Sequence, residues 1–273
     1  MKRPSLKTTR RLVQALLALA FILIPYLNAR GVNLVHGNFL AFDLAGLPLA
    51  DPLAALQVVA HNWPVPTRLL VGGLIPLALA FFLGTVFCSW ACPFGLMSEL
   101  VQGLGRRVFS GRGRRVRMGR GLVGKAYLVG LGLLAVAGLS LPPLLNQLSL
   151  PGWYSRLFQI WFLQGYWSWA AWGLLGILLL ELAAGRRLWC RYLCPQSLLL
   201  TLAQTLNPAR LAVNFDARRC HCQGGVSACI QACSLDLNPK ALRGRGESEC
   251  NNCGDCVVAC RDQGRALGFA RRR

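Results

Sequence analysis

Twelve cysteines fall between Cys88 and Cys260, and their spacing carries most of the chemistry this chain can do. The densest group is Cys250-Asn-Asn-Cys253-Gly-Asp-Cys256-Val-Val-Ala-Cys260, a C-x2-C-x2-C-x3-C run. Three closely spaced thiolates wrap one iron-sulfur cluster, and the fourth cysteine starts a helix that points it at a second cluster. Gly254 lets the backbone approach the sulfides. A structural zinc site more often uses two short cysteine pairs across a longer spacer. The last cysteine of such a run needs a second cluster, and Cys220, Cys222, Cys229 and Cys233 supply its other ligands. The expected exchange puts Cys250, Cys253 and Cys256 with Cys233 on one [4Fe-4S] cluster. Cys220, Cys222 and Cys229 then share the other with Cys260. The partner run, C-x-C-x6-C-x3-C, departs from the regular spacing; Gly224 and Gly225 could reshape its loop, and His221 is an alternative ligand.

The remaining four cysteines form a separate constellation of two C-x3-C-P motifs, Cys88 to Pro93 and Cys190 to Pro195. Residues at i and i+4 share a helical face, so each motif presents a pair of thiols. If the two helices are neighbours, four thiols converge in a site for a cluster, another metal or a redox-active thiol set. The repeated pattern reads as duplication of a two-helix unit.

The elements that must position these cysteines are apolar. Of 273 residues, 54% are hydrophobic and only 15% charged, a balance that indicates an integral membrane protein rather than an ordinary soluble enzyme. Stretches at roughly 12 to 29, 69 to 88, 122 to 141 and 167 to 185 are each about long enough to span a bilayer. Of the 30 Lys and Arg residues, Arg30, Arg68 and Arg156 belong to the two outer connections and the other 27 to the N-terminal tail, the 106 to 125 loop and the chain after Gly185. By the positive-inside rule both termini and all twelve cysteines are cytoplasmic or at the membrane boundary, where thiols stay reduced. The net charge of +20, including the Gly/Arg run from Gly103 to Gly121, is then a topology signal and not a nucleic-acid patch. The apolar N-terminal segment lacks a cleavage signal and reads as an uncleaved anchor. The expected fold is an all-α membrane domain of four transmembrane helices over residues 1 to 206. A small ferredoxin-like α+β bis-cluster domain follows over residues 207 to 273. In the first outer connection Asp51 and Pro52 start a short interfacial helix; in the second, Trp153, Tyr154, Phe158, Trp161, Phe162 and Tyr166 form an aromatic belt.

On the two C-x3-C-P motifs, the runs ending at Cys233 and Cys260, and His36-Gly37-Asn38 followed by Leu49 to Leu53, the chain resembles the NapH-type membrane ferredoxins of periplasmic nitrate reduction. A sibling type serves methylamine utilisation. The resemblance covers nearly the whole chain and implies a quinol dehydrogenase component in a bacterial cytoplasmic membrane. Such a component takes electrons from the quinol pool and passes them through partner iron-sulfur and haem subunits to a reductase. Oxidising quinol also requires a proton acceptor, for which His36, Asp51, His61, Glu99 and Glu181 are the candidates. More distant relatives imply an alternative role in assembly or metal handling, with the C-x3-C-P thiols binding or reducing copper.

Overall fold

The computed structural model describes residues 5–31, 35–44, 46–61, 65–108, 121–138, 144–222, 227–242, 245–261 and 263–271. The Arg112 to Arg120 part of the basic loop and the pair Gly224 and Gly225 lie outside the described residues. So do the side chains of His36 and His61.

Helix α1 (Leu6–Ala29) begins at Ser5, whose hydroxyl accepts from Thr8 N at 3.2 Å. Three short strands follow, β1 (Val35–Asn38), β2 (Ala41–Leu44) and β3 (Leu47–Ala50), then α2 (Pro52–His61) and α3 (Thr67–Leu83). The first cysteine motif spans α4 (Val86–Trp90) and leads into α5 (Pro93–Val108). The same sequence of parts then recurs. Helix α6 (Gly121–Gly138) is followed by α7 (Leu144–Gln147), α8 (Leu150–Gln164) and α9 (Trp169–Ala184). A π-helical turn (Trp189–Leu193) carries the second cysteine motif into α10 (Gln196–Leu206). The chain ends with β4 (Leu211–Phe215), α11 (Ala228–Ala232), α12 (Arg245–Ser248), α13 (Asp255–Ala259) and β5 (Leu267–Arg271).

The four stretches expected to span are helical over most of their described residues, but they are not equal. Among the described residues only α1, with 24 residues, is by itself long and apolar enough to cross a membrane; α3, α6 and α9 are shorter apolar helices. The second expected span, which included Cys88, is interrupted because Gly84 takes φ 77° after Leu83 and the chain restarts as α4. The fourth ends on Gly185 in the left-handed conformation, which closes the helix before Cys190. The cysteine pairs therefore sit on short turns beyond the long helices and not on their continuous faces.

Side chains on these helices are sorted inside out relative to a soluble protein. Leu131, Leu134 and Trp172 are 67%, 71% and 70% exposed, whereas Gln14, Gln57, Ser98 and Glu181 are completely buried. A contiguous apolar exterior is stable only against another apolar phase or partner.

The first connection departs from the all-α expectation, since β1, β2 and β3 form an antiparallel three-stranded sheet in sequence order. Helix α2 packs into the protein, with Leu53 and Gln57 fully buried. The sheet folds back between the helices, so that Gln196, just past the second cysteine motif, donates to Asp51 Oδ2 at 3.1 Å and to Ser149 Oγ at 2.6 Å. The expected aromatic belt also divides: Tyr154 is buried and donates to Ala18 O at 3.0 Å, while Trp161 and Tyr166 remain exposed.

In the C-terminal region β4 pairs antiparallel with β5, Leu211 opposite Arg271 and Phe215 opposite Leu267. This region docks on the cysteine end of the helices through polar side chains. Ser89 Oγ donates to Asn251 O at 2.7 Å, Thr85 Oγ1 to Cys250 O at 3.2 Å, and Gln204 Nε2 to Ser248 O at 2.7 Å. Asn252 Nδ2 reaches Leu83 O and Leu211 O, both at 2.8 Å. At the centre is Arg10, 1% exposed, which pairs with Glu99 at 2.7 Å and Asp255 at 3.2 Å and donates to Ser89 O at 3.2 Å. Removing one partner of such a buried network leaves uncompensated charge and costs about 3–5 kcal/mol. Arg10→Ala is expected to lower the thermal midpoint of the purified protein and to open the region after Asn207 to trypsin, both read on the same preparation.

Candidate redox site

All four cysteines of the two C-x3-C-P motifs line one cavity of about 130 Å³. Its walls come from both repeats and from the folded-back sheet: Phe39, Phe42 and Asp51 on one side, Phe87, Phe94 and Trp189 around the thiols, and Ser248, Glu249 and Asn251 of the C-terminal region at the far end. Each motif places its second cysteine immediately before a helix. Burial pushes the Cys190 thiol up to about 11, opposed by the Arg187 guanidinium.

Two buried cations border the thiols. Lys125 Nζ donates to Cys190 O at 2.8 Å and Ser197 Oγ at 2.7 Å. Arg187 donates to Gly95 O at 3.1 Å, to Ser98 and Ser234 hydroxyls at 3.2 Å and to the Cys190 sulfur at 3.7 Å. Neither appears in an ion pair among the described residues. By sequence both count only among the topology-setting basic residues. Their proximity to cysteine depends on long-range packing, and the one local signal was Arg187 three residues before Cys190.

The C-terminal cysteines fall into two neighbouring sets. Cys233, Cys250, Cys253 and Cys256 line a second, smaller cavity with Leu235 and Leu237. Burial raises the Cys250 thiol to about 12, and Cys233 adds to the rise. Cys220 packs against buried Cys229 and Cys260, and Cys222 lies within electrostatic reach of Cys220 and Cys260. Among the described residues no group of three or more His, Cys, Asp or Glu side chains is placed to hold a single metal ion. Thiol donors that share a cavity, as Cys233, Cys250, Cys253 and Cys256 do, suit a cluster, whose sulfides and irons fill the space between thiolates.

The proposed proton acceptors are dispersed. Glu99 is buried, not solvated at an edge; burial raises its carboxyl, but Arg10 and Arg11 more than offset this and hold it below its ordinary value. Glu181 is likewise fully buried, paired with the Ser98 hydroxyl and accepting from Trp189 N at 3.0 Å. His36 and His61 have backbone in β1 and α2. Of the five, Asp51 lines the cysteine cavity, and burial lifts its carboxyl to about 6 against hydrogen bonds from Leu53 N and Gln196.

Comparison with known proteins adds a family. A model described as a 4Fe-4S binding domain matches twice, at residues 65–112 and 167–208, once over each C-x3-C-P unit. The chain is 30% identical to the methylamine utilization ferredoxin-type protein MauN of Methylorubrum extorquens, over 88% of this chain and 78% of that protein. It is 29% identical to the ferredoxin-type protein NapH of Escherichia coli, over 92% and 85% respectively. A 29% match to the regulatory protein NosR of Pseudomonas aeruginosa covers 69% of this chain and 25% of that one. No solved structure matches the chain.

Asp51 gives this site a measurable pH signature. Its folded carboxyl keeps a proton to higher pH than in the unfolded chain, so the folded state loses stability as pH rises from about 4 to about 6. The midpoint of Asp51→Asn, measured against wild type from pH 4 to pH 8, is expected to gain on wild type across that window and to run parallel above it.

Proposed function

The chain belongs to the family of ferredoxin-type proteins that includes MauN and NapH, and on that premise we propose that it is a membrane quinol-oxidising electron-transfer protein. Its helices α1, α3, α6 and α9 cross the bacterial cytoplasmic membrane four times, leaving both termini in the cytoplasm. The exposed leucines of α1, α3, α6 and α9 and the buried polar interior support that placement. Cys233, Cys250, Cys253 and Cys256 hold one [4Fe-4S] cluster, and Cys220, Cys222, Cys229 and Cys260 hold the other. Each bound cluster accepts one electron at a time, which divides the two-electron oxidation of a quinol into single steps.

The observation that carries this reading is the continuity of the cysteine cavity. It reaches from Asp51, past the four C-x3-C-P thiols, to Asn251 beside Cys250. Asp51 takes a proton from the quinol hydroxyl, and Gln196 and the amide of Leu53 hold its carboxylate in place. The aromatic rings of Phe39, Phe42 and Phe87 keep water from the path and give an aromatic headgroup apolar walls. The Ser89 and Thr85 contacts to Asn251 and Cys250 fix the C-terminal run against the cavity's far end. From there electrons pass to membrane or periplasmic iron-sulfur and haem subunits of a respiratory reductase chain, such as that of periplasmic nitrate reductase.

Anaerobically purified protein mixed with a quinol analogue is expected to show cluster reduction by EPR and by bleaching of the visible absorbance. Asp51→Asn is expected to keep its iron and slow that reduction about 100-fold, the scale of a general base. Clusters that accept electrons from dithionite but not from quinol would sink the proposal.

A further inference from the structure

We propose that Cys88, Cys92, Cys190 and Cys194 hold one further [4Fe-4S] cluster, assembled from half a site in each repeat. This deepens the function proposed above by naming the occupant of the thiol-lined part of the cavity, the quinol headgroup being met at its Asp51 end, though the case for occupancy does not depend on quinol.

Four features of the cavity converge on an anionic, multinuclear guest. All four thiols are among the side chains lining a cavity of about 130 Å³. Cys92 and Cys194 stand at the start of helices, α5 of 16 residues and α10 of 11, and helix N-termini favour negative charge. Lys125 and Arg187, 8% and 4% exposed, place two positive charges around Cys190 without an ion-pair partner among the described residues. Gly95 sits where a Cβ would meet Cys88 O at 2.8 Å and Arg187 Nη2 at 3.3 Å, so the backbone is drawn close around the site.

Binding a metal centre displaces the thiol protons, leaving four thiolates on the cluster core. The oxidised assembly carries about −2 in total, toward which Lys125 and Arg187 are the facing cations, with the Glu181 carboxyl within electrostatic reach of Arg187. The match of a 4Fe-4S model to each C-x3-C-P unit separately fits the same arithmetic, with two ligands contributed by each copy. A single Cys pair cannot complete a cluster, so the two repeats are bound to act together.

Iron and acid-labile sulfide measured on the anaerobically purified full chain are expected at about 12 of each per protein, three clusters and not two. Cys88→Ser/Cys190→Ser is expected to fall to about 8, losing one of three Mössbauer or EPR components while the other two keep their signatures. Lys125→Gln is expected to retain all the iron and shift only that component to a lower potential. If the double variant does not accumulate, the wild-type count and the Lys125→Gln titration still decide the question. A wild-type value near 8, a double variant with undiminished iron, or copper bound stoichiometrically in place of the third cluster would each overturn the proposal. About 12 irons with no response to quinol would sink the quinol reading alone, and about 8 with a quinol response would sink the third cluster alone.

Discussion

Arg10 is a guanidinium almost completely removed from solvent, and the arrangement of the rest of the protein follows from the need to satisfy it. An apolar exterior turns polar groups inward, and each must then find its partner among a few others. Arg10 joins three parts of the chain that are far apart in sequence: α1, where it resides; α5, through Glu99; and the C-terminal cysteine run, through Asp255. Because Asp255 lies between Cys253 and Cys256, the same contact that fastens the C-terminal region also sets the position of its thiols. Glu99, a candidate proton acceptor in sequence, is committed to this structural role.

The two repeats show how a duplicated unit becomes one site. Each supplies a long helix, a connection that folds back, a second helix, a cysteine pair and a further helix beginning at or just after the proline. They have diverged where they meet. The residue after the proline is Phe94 in the first copy, buried in the core with Leu150 and Tyr154, and Gln196 in the second, which bridges Asp51 and Ser149. Ser149 and Asp51 both precede helices that start at depth, α8 and α2, so one amide ties together the folded-back connections of both copies. An apolar residue on one side and an amide on the other make the cavity asymmetric, apolar toward Phe94 and polar toward Asp51.

Much of this site was legible in the sequence because cysteine spacing is a local code. The two C-x3-C-P motifs and the C-x2-C-x2-C-x3-C run announce thiol chemistry without knowledge of the fold. The folded-back sheet was not legible, since Val35 to Ala50 is short, mixed in polarity and without a sustained period of two. The interior cations were hidden for a different reason. Lys125 and Arg187 flank apolar helices in the way that topology-setting residues do, and composition cannot tell a cation facing headgroups from one turned toward Cys190. The interruption at Gly84 was concealed by the apolar residues on either side, which continue the helical pattern across the break.

That interruption also explains why the C-terminal region can approach the cysteine cavity so closely. A Cβ on Gly84 would lie 2.6 Å from the Asn252 amide, and Asn252 itself takes φ 51° to hold the Leu83 and Leu211 carbonyls. Gly254, also in the left-handed region, lies where a Cβ would strike Leu6 at the start of α1. The run from Cys250 to Cys256 is thus pinned at both ends against helices of the first repeat, with Arg10 between. A register shift of one residue would remove Asn252 from its carbonyls and carry Asp255 away from Arg10, burying charge without a partner. The thiol positions are fixed by these flanking contacts, which do not require the cysteines themselves to be ligated.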